Sequence, residues 1–185
     1  TDPDTNIHEF LAARKGISLE QARAMNDRVT QMAAEVGLTY NFDKAVVANS
    51  FDAHRLSHLA KKYGLQDEAE ERLFAAYFTE GKNTADCNTL VQLGSEIGLD
   101  PEEVRRTLNS NEFAEEVRRD IYEAQQVGLR GVPHFVINDK YAISGAQSPA
   151  LFLEALNKIW IEFKNSDLPA SSSEEAKQGK NIPSL

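Results

Sequence analysis

Apolar residues recur at helical spacing along most of the chain, and strand-like runs are confined to one short stretch. Ile7, Phe10 and Leu11 share a face of a short helix that Thr5-Asn6 can cap and Gly16 can end. Ser18-Leu-Glu-Gln21 reads as a capping box. The helix it opens sets Ala22, Met25, Val29, Met32, Ala33 and Val36 on one face, with Gly37 as its stop. Residues 38–47 lack such a period and predict an irregular connector. Asn49-Ser50 caps a third helix with the stripe Leu56, Leu59, Ala60 and Tyr63. Asp67 begins a fourth, carrying Ala69, Leu73, Ala76 and Tyr77 inward as far as Gly81. Helices over about 85–97 and 101–109 follow, the second with Asp100 as its cap and Pro101 in its first turn. A helix over about 112–127 aligns Phe113, Val117, Ile121 and Ala124. The last, opened by Ser148-Pro149, aligns Phe152, Ala155, Leu156, Ile159 and Phe163, with Trp160 beside them. The polar tail over 165–185, with its Ser171-Ser-Ser-Glu-Glu run, is expected to be disordered.

Strand pattern is found over roughly 134–138 and 141–145, just after a Gly/Pro corner at residues 128–133. Val132-Pro133 directly precedes an apolar run. A proline offers no N–H to a ladder, so it belongs at a strand's first residue, an edge or a bulge. A proline in such a corner is a candidate for a cis peptide bond. The run His134-Phe-Val-Ile-Asn is almost continuously apolar, as in a strand covered on both faces. A two-stranded hairpin is marginal by itself. The run therefore wants strand neighbours that the rest of the chain does not supply, and the favoured explanation is a beginning that precedes Thr1.

Composition narrows the class without naming a chemistry. The 185 residues are 41% hydrophobic and 26% charged, ordinary values for a globular chain. A net charge of −9 argues against a sequence-independent grip on nucleic acid. No run approaches the length of a membrane span, so no membrane association is expected. One cysteine, Cys87, suits a reducing compartment and supports a cytoplasmic location. It allows neither an internal disulfide nor a dithiol pair, and it reads as a small, half-buried side chain. His54 and His58 stand four apart on one helix face but lack a third ligand at a recognisable spacing, so neither a metal nor another cofactor is expected. The Glu102-Glu-Val-Arg-Arg106 and Glu115-Glu-Val-Arg-Arg119 pairs are charged helix faces with i, i+3 and i, i+4 partners.

Three stretches together resemble one family. Gly131-Val-Pro-His-Phe-Val-Ile137, Tyr141-Ala-Ile-Ser-Gly-Ala-Gln147 and Val47-Ala-Asn-Ser-Phe-Asp-Ala-His-Arg55 are similar to the DsbA-family thioredoxin-like proteins, in particular their FrnE-like branch of cytosolic disulfide oxidoreductases. The Ile17 to Gly37 helix also fits, so the resemblance spans most of the chain. It implies an α/β, thioredoxin-like fold with a large all-helical insertion, whose first βαβ unit precedes the sequence given. The organisation that follows is helices and connector over 1–47, the insertion over 48–127, and the C-terminal half of the thioredoxin-like domain over 128–164. The nucleophile of such a protein sits in the first strand-to-helix turn. No such turn exists here, so no catalytic residue is assigned in this chain and none is carried onto Cys87. The resemblance makes Val132 and Pro133 the substrate-docking loop, with Asn49 and His54 as further contacts. It implies thiol or disulfide substrates, either protein or glutathione, and a homodimer is allowed. A glutathione-dependent isomerase or transferase on the same scaffold, or a non-catalytic helical binding protein, are the alternatives.

Overall fold

Short polar side chains set where several of the helices begin. The computed structural model describes residues 5–166. Asn6 accepts from the N–H groups of His8 and Glu9 at the start of α1 (Ile7–Lys15). The predicted capping box is complete: Ser18 and Gln21 exchange hydrogen bonds of 3.1 and 2.9 Å at the start of α2 (Leu19–Glu35). The connector carries a single 3-10 turn (Phe42–Lys44), and Val46 forms an isolated bridge with Asn6. Next come α3 (Phe51–Lys62) and α4 (Gln66–Phe74). The latter runs directly into a π-helical segment (Ala75–Glu80). Gly81 ends that segment at φ 69°, and a Cβ there would stand 2.5 Å from the Lys44 carbonyl oxygen. Glycine is the residue that fits both demands.

Asp86 accepts from the Thr89 N–H to cap α5 (Cys87–Glu96), and Asp100 accepts from Glu102 to cap α6 (Pro101–Leu108). Then follow α7 (Ala114–Gln126), β1 (His134–Ile137), β2 (Tyr141–Ser144) and α8 (Pro149–Ser166). Two compact units divide the chain within α7, at Arg119 and Asp120. The tail expected to be disordered lies outside the described residues beyond Ser166.

In the first unit the core is built by Leu56 and Leu59 of α3, Leu90 and Leu93 of α5, and Val104 of α6. Burying each leucine contributes about 1.5–3 kcal/mol. These helices close tightly because Gly94 lacks a side chain: a Cβ there would lie 2.9 Å from Val104 and 3.3 Å from Leu56. Arg55, on the same helix as Leu56, is also buried. Its Nε donates to the Glu112 carbonyl at 2.9 Å, and its Nη1 to Asp52 and the Leu108 carbonyl at 2.8 and 3.2 Å. Nη2 donates to the carbonyls of Thr107 and Ser110. One guanidinium thus satisfies the exposed carbonyl end of α6. His8 plays a smaller part of this kind. It is buried and bonded to Asn26 at 2.9 Å and to Asp43 at 3.1 Å, tying α1 to α2 and to the 3-10 turn.

Four predicted faces differ from the observed ones, and on α7 Val117 is buried while Ile121 is exposed. On α2 the buried residues are Ala22, Asn26 and Ala33, while Met25, Val29, Met32 and Val36 are exposed. The small residues let α2 close on α1, and that contact turns the larger apolar side chains outward. On α3 Tyr63 is exposed because it lies at the helix end, where its hydroxyl bonds Glu103 at 2.6 Å. On α8 only Ala155 and Ile159 of the expected stripe are buried, and Leu156, Trp160 and Phe163 are exposed. The fourth helix also begins at Gln66, one residue before Asp67.

In the second unit β1 and β2 form an antiparallel hairpin in the register His134 to Ser144 through Ile137 to Tyr141. Asn138 and Asp139 both take left-handed backbone at its turn. Tyr141, Ala142 and Ile143 are buried, but Phe135 and Val136 are about two-fifths exposed, unlike a strand covered on both faces. Phe135 packs edge-on against Phe152 of α8 at 4.9 Å. Tyr141 donates its hydroxyl to Glu162 of that helix. Among the described residues no helix is long and apolar enough to cross a membrane.

Candidate functional site

The corner before β1 leaves one residue without partners beside an ordered hairpin. Pro133 enters the ladder through its oxygen, which accepts from the Gly145 N–H at 2.8 Å. The preceding Val132–Pro133 peptide bond is cis. Val132 itself is 85% exposed, and neither its N–H nor its C=O is hydrogen-bonded among the described residues. Opposite this corner the Gln147 amide donates to the Ser144 carbonyl at 2.9 Å, which holds the end of β2 in place. His134, the first residue of β1, turns its Nε2 into the protein, where that nitrogen has no partner among the described residues. A free donor and a free acceptor stand at the head of a strand, where an extended chain can pair with them.

The other two expected contacts, Asn49 and His54, belong to the first unit, so the four residues divide evenly between the units. Asn49 uses its side-chain oxygen locally, accepting from the Phe51 N–H at 3.0 Å at the start of α3. His54 is exposed, makes no side-chain hydrogen bond among the described residues, and lines a cavity with Phe74, Tyr77 and Phe78. Burial raises the Tyr77 phenol above its ordinary pKa. On the cavity floor the buried Ser57 hydroxyl donates to Glu70 at 3.0 Å. His58 is half-buried and its ring stacks on Phe113, so the two helical histidines have different surroundings. No three His, Cys, Asp or Glu side chains among the described residues are grouped to hold a metal.

Cys87 opens α5 half-buried against the core of the first unit. Sequence reasoning set Tyr77 inward but passed over Phe74 and Phe78 of the cavity wall, and Arg55. The rest of the wall was hidden because the helical period changes at Ala75, where the π-helical segment starts. Arg55 stood in a recognised stretch, but its partners are carbonyls more than fifty residues away.

The model of the DsbA-like thioredoxin domain matches residues 5–157. The chain belongs to that family. A solved structure described as a probable DsbA oxidoreductase, SCO1869 from Streptomyces coelicolor, superposes with a TM-score of 0.81 at 34% identity. That superposition covers 95% of this chain and 76% of the Streptomyces one. An uncharacterized Bacillus subtilis protein, YwbO, is 29% identical over 131 residues. The match takes in 70% of this chain and 65% of YwbO, so it spans slightly less than two thirds of that relative's length. The DsbA-like assignment accounts for a helix-dominated chain carrying a small sheet, and the expected thioredoxin-like fold with a helical insertion is the fold of this family. At family level it is a family of thiol–disulfide oxidoreductases.

Proposed function

We propose that this chain supplies the substrate-docking part of a thiol–disulfide oxidoreductase, with the extended backbone of a disulfide-bearing substrate pairing with Val132. The observation that carries the reading is the unpaired Val132 main chain at the head of β1, in a chain of the DsbA-like family. Main-chain pairing is indifferent to side-chain identity, which suits a protein that meets disulfides in varied sequences.

The chemistry is thiol–disulfide exchange. A thiolate attacks one sulfur of the substrate disulfide, forming a mixed disulfide and expelling the other sulfur as a thiolate. A second thiolate then attacks the mixed disulfide, releasing the reduced substrate and leaving the two attacking sulfurs joined. Two sulfurs are consumed in that cycle, and the chain has one cysteine. Cys87 is half-buried against the core of the first unit, at the start of a helix capped by Asp86. On this reading the attacking pair is supplied from outside these 185 residues.

The test is insulin reduction with dithiothreitol as the electron source. This chain and its Cys87→Ser variant should both reduce insulin no faster than dithiothreitol alone. Turnover by the chain that Cys87→Ser abolishes would place the nucleophile on Cys87 and contradict the reading.

A further inference from the structure

A cavity of about 440 Å³ opens in the first unit beside α3, α4 and the π-helical segment, and the disulfide chemistry makes no use of it. Its size falls within the range of small-molecule sites, roughly 300–1,000 Å³. Phe74, Tyr77 and Phe78 wall one side, with the Tyr77 and Phe78 rings edge to face at 4.9 Å. The π-helical segment beginning at Ala75 carries Tyr77 and Phe78. Single π turns of this kind recur at functional sites.

Among the described residues the polar side chains lining the cavity are Ser50, His54, Ser57, Glu70, Tyr77 and Thr84. Glu70 is the one Asp, Glu, Lys or Arg among them. Ser57 and Gln66 donate to its Oε1 at 3.0 and 3.2 Å, and its Oε2 makes no bond among the described residues. No lysine or arginine lines the cavity to neutralise that carboxylate. Two further polar side chains are unspent. Thr84 is 94% buried by its 6% exposure, and neither its hydroxyl nor the His54 imidazole has a partner among the described residues. Glu70 is exposed but held through Oε1 by two hydrogen bonds, and its second oxygen in a cavity with aromatic walls selects a cation joined to a flat apolar body, because the ammonium gains both the ion pair and the ring faces. An anionic ligand of equal shape would meet Glu70 with no lysine or arginine among the described lining residues to compensate it.

We propose that this cavity binds a small aromatic amine, its ring among Phe74, Tyr77 and Phe78 and its ammonium on Oε2 of Glu70. Occupancy of the site requires no thiol.

Phenethylamine and its anionic counterpart 3-phenylpropanoate test this by amide NMR on the isotopically labelled 185-residue chain. Phenethylamine should shift the amides of the π-helical segment and Thr84 with a Kd on the order of 1 mM, reasonable for about nine non-hydrogen atoms. Binding of 3-phenylpropanoate should be at least about tenfold weaker. Glu70→Gln should weaken the amine about tenfold while keeping a dispersed, folded spectrum. Phe74→Leu removes one wall at an exposed position that the core does not need, and should weaken the amine about threefold. Equal binding of amine and acid would overturn the proposal. So would retained affinity in a folded Glu70→Gln, shifts confined to residues outside the cavity, or no shifts at about 10 mM amine. None of these readouts reports disulfide exchange, so failure here leaves the insulin result standing on its own.

Discussion

Arg55 shows how one side chain can hold elements that are distant in sequence. Its guanidinium has five N–H donors, and the five acceptors it meets are the Asp52 carboxylate and the carbonyls of Thr107, Leu108, Ser110 and Glu112. Lysine has three donors on a point-like ammonium and cannot reproduce that fork. Arg55→Lys should therefore lower stability by about 2–4 kcal/mol, mostly through buried carbonyls left unpaired. Urea unfolding should show a lower midpoint with an unchanged slope. A loss under about 0.5 kcal/mol would mean that water replaces the guanidinium at little cost. Sequence alone could not indicate this role, because arginine on a helix with an Asp three residues before it usually marks a solvated face. Val132 and Pro133 were legible for the opposite reason: their signal is local. A Gly/Pro corner immediately before an apolar run restricts the backbone whatever lies elsewhere.

Among the elements, α5 and α6 matched their predicted spans closely because Asp86, Asp100 and Pro101 act within one helical turn. The faces of α2 and α8 were less legible. Periodicity shows that a stripe exists, but the neighbour decides which part of it is covered, and α1 offers α2 a contact that small residues fill best. The approach of α5 to α6 and α3 at Gly94 is a more quantitative matter. Alanine in a helix gains about 1 kcal/mol over glycine from backbone propensity. Its Cβ would stand 2.9 Å from the fully buried Val104, and overpacking of that kind costs about 1–3 kcal/mol. Gly94→Ala is expected to be a net loss, lowering the thermal midpoint by roughly 2–4 °C. A raised midpoint would show that Val104 and Leu56 yield easily. The π-helical segment escaped sequence reading because its residues, Ala-Ala-Tyr-Phe-Thr-Glu, also suit an ordinary helix. With it went Phe74 and Phe78 of the cavity wall.

At the scale of the molecule, a DsbA-like chain separates two kinds of surface. The first unit has a packed helical core and a cavity lined by the Glu70 carboxylate, while the second presents an open main chain at the head of a two-stranded hairpin. The family was legible from three short motifs, and the match over residues 5–157 agrees with them. Its chemistry was less so, since a single half-buried Cys87 cannot run a dithiol cycle. The central claim is that an extended substrate pairs with Val132. It is tested most directly by hydrogen exchange at the Val132 amide, followed by NMR with and without a short disulfide-bridged peptide. The free amide has no partner among the described residues and should exchange rapidly. Saturating peptide should slow it at least about tenfold, as a newly formed ladder bond requires. Unchanged exchange at Val132 while the peptide is bound would contradict the account.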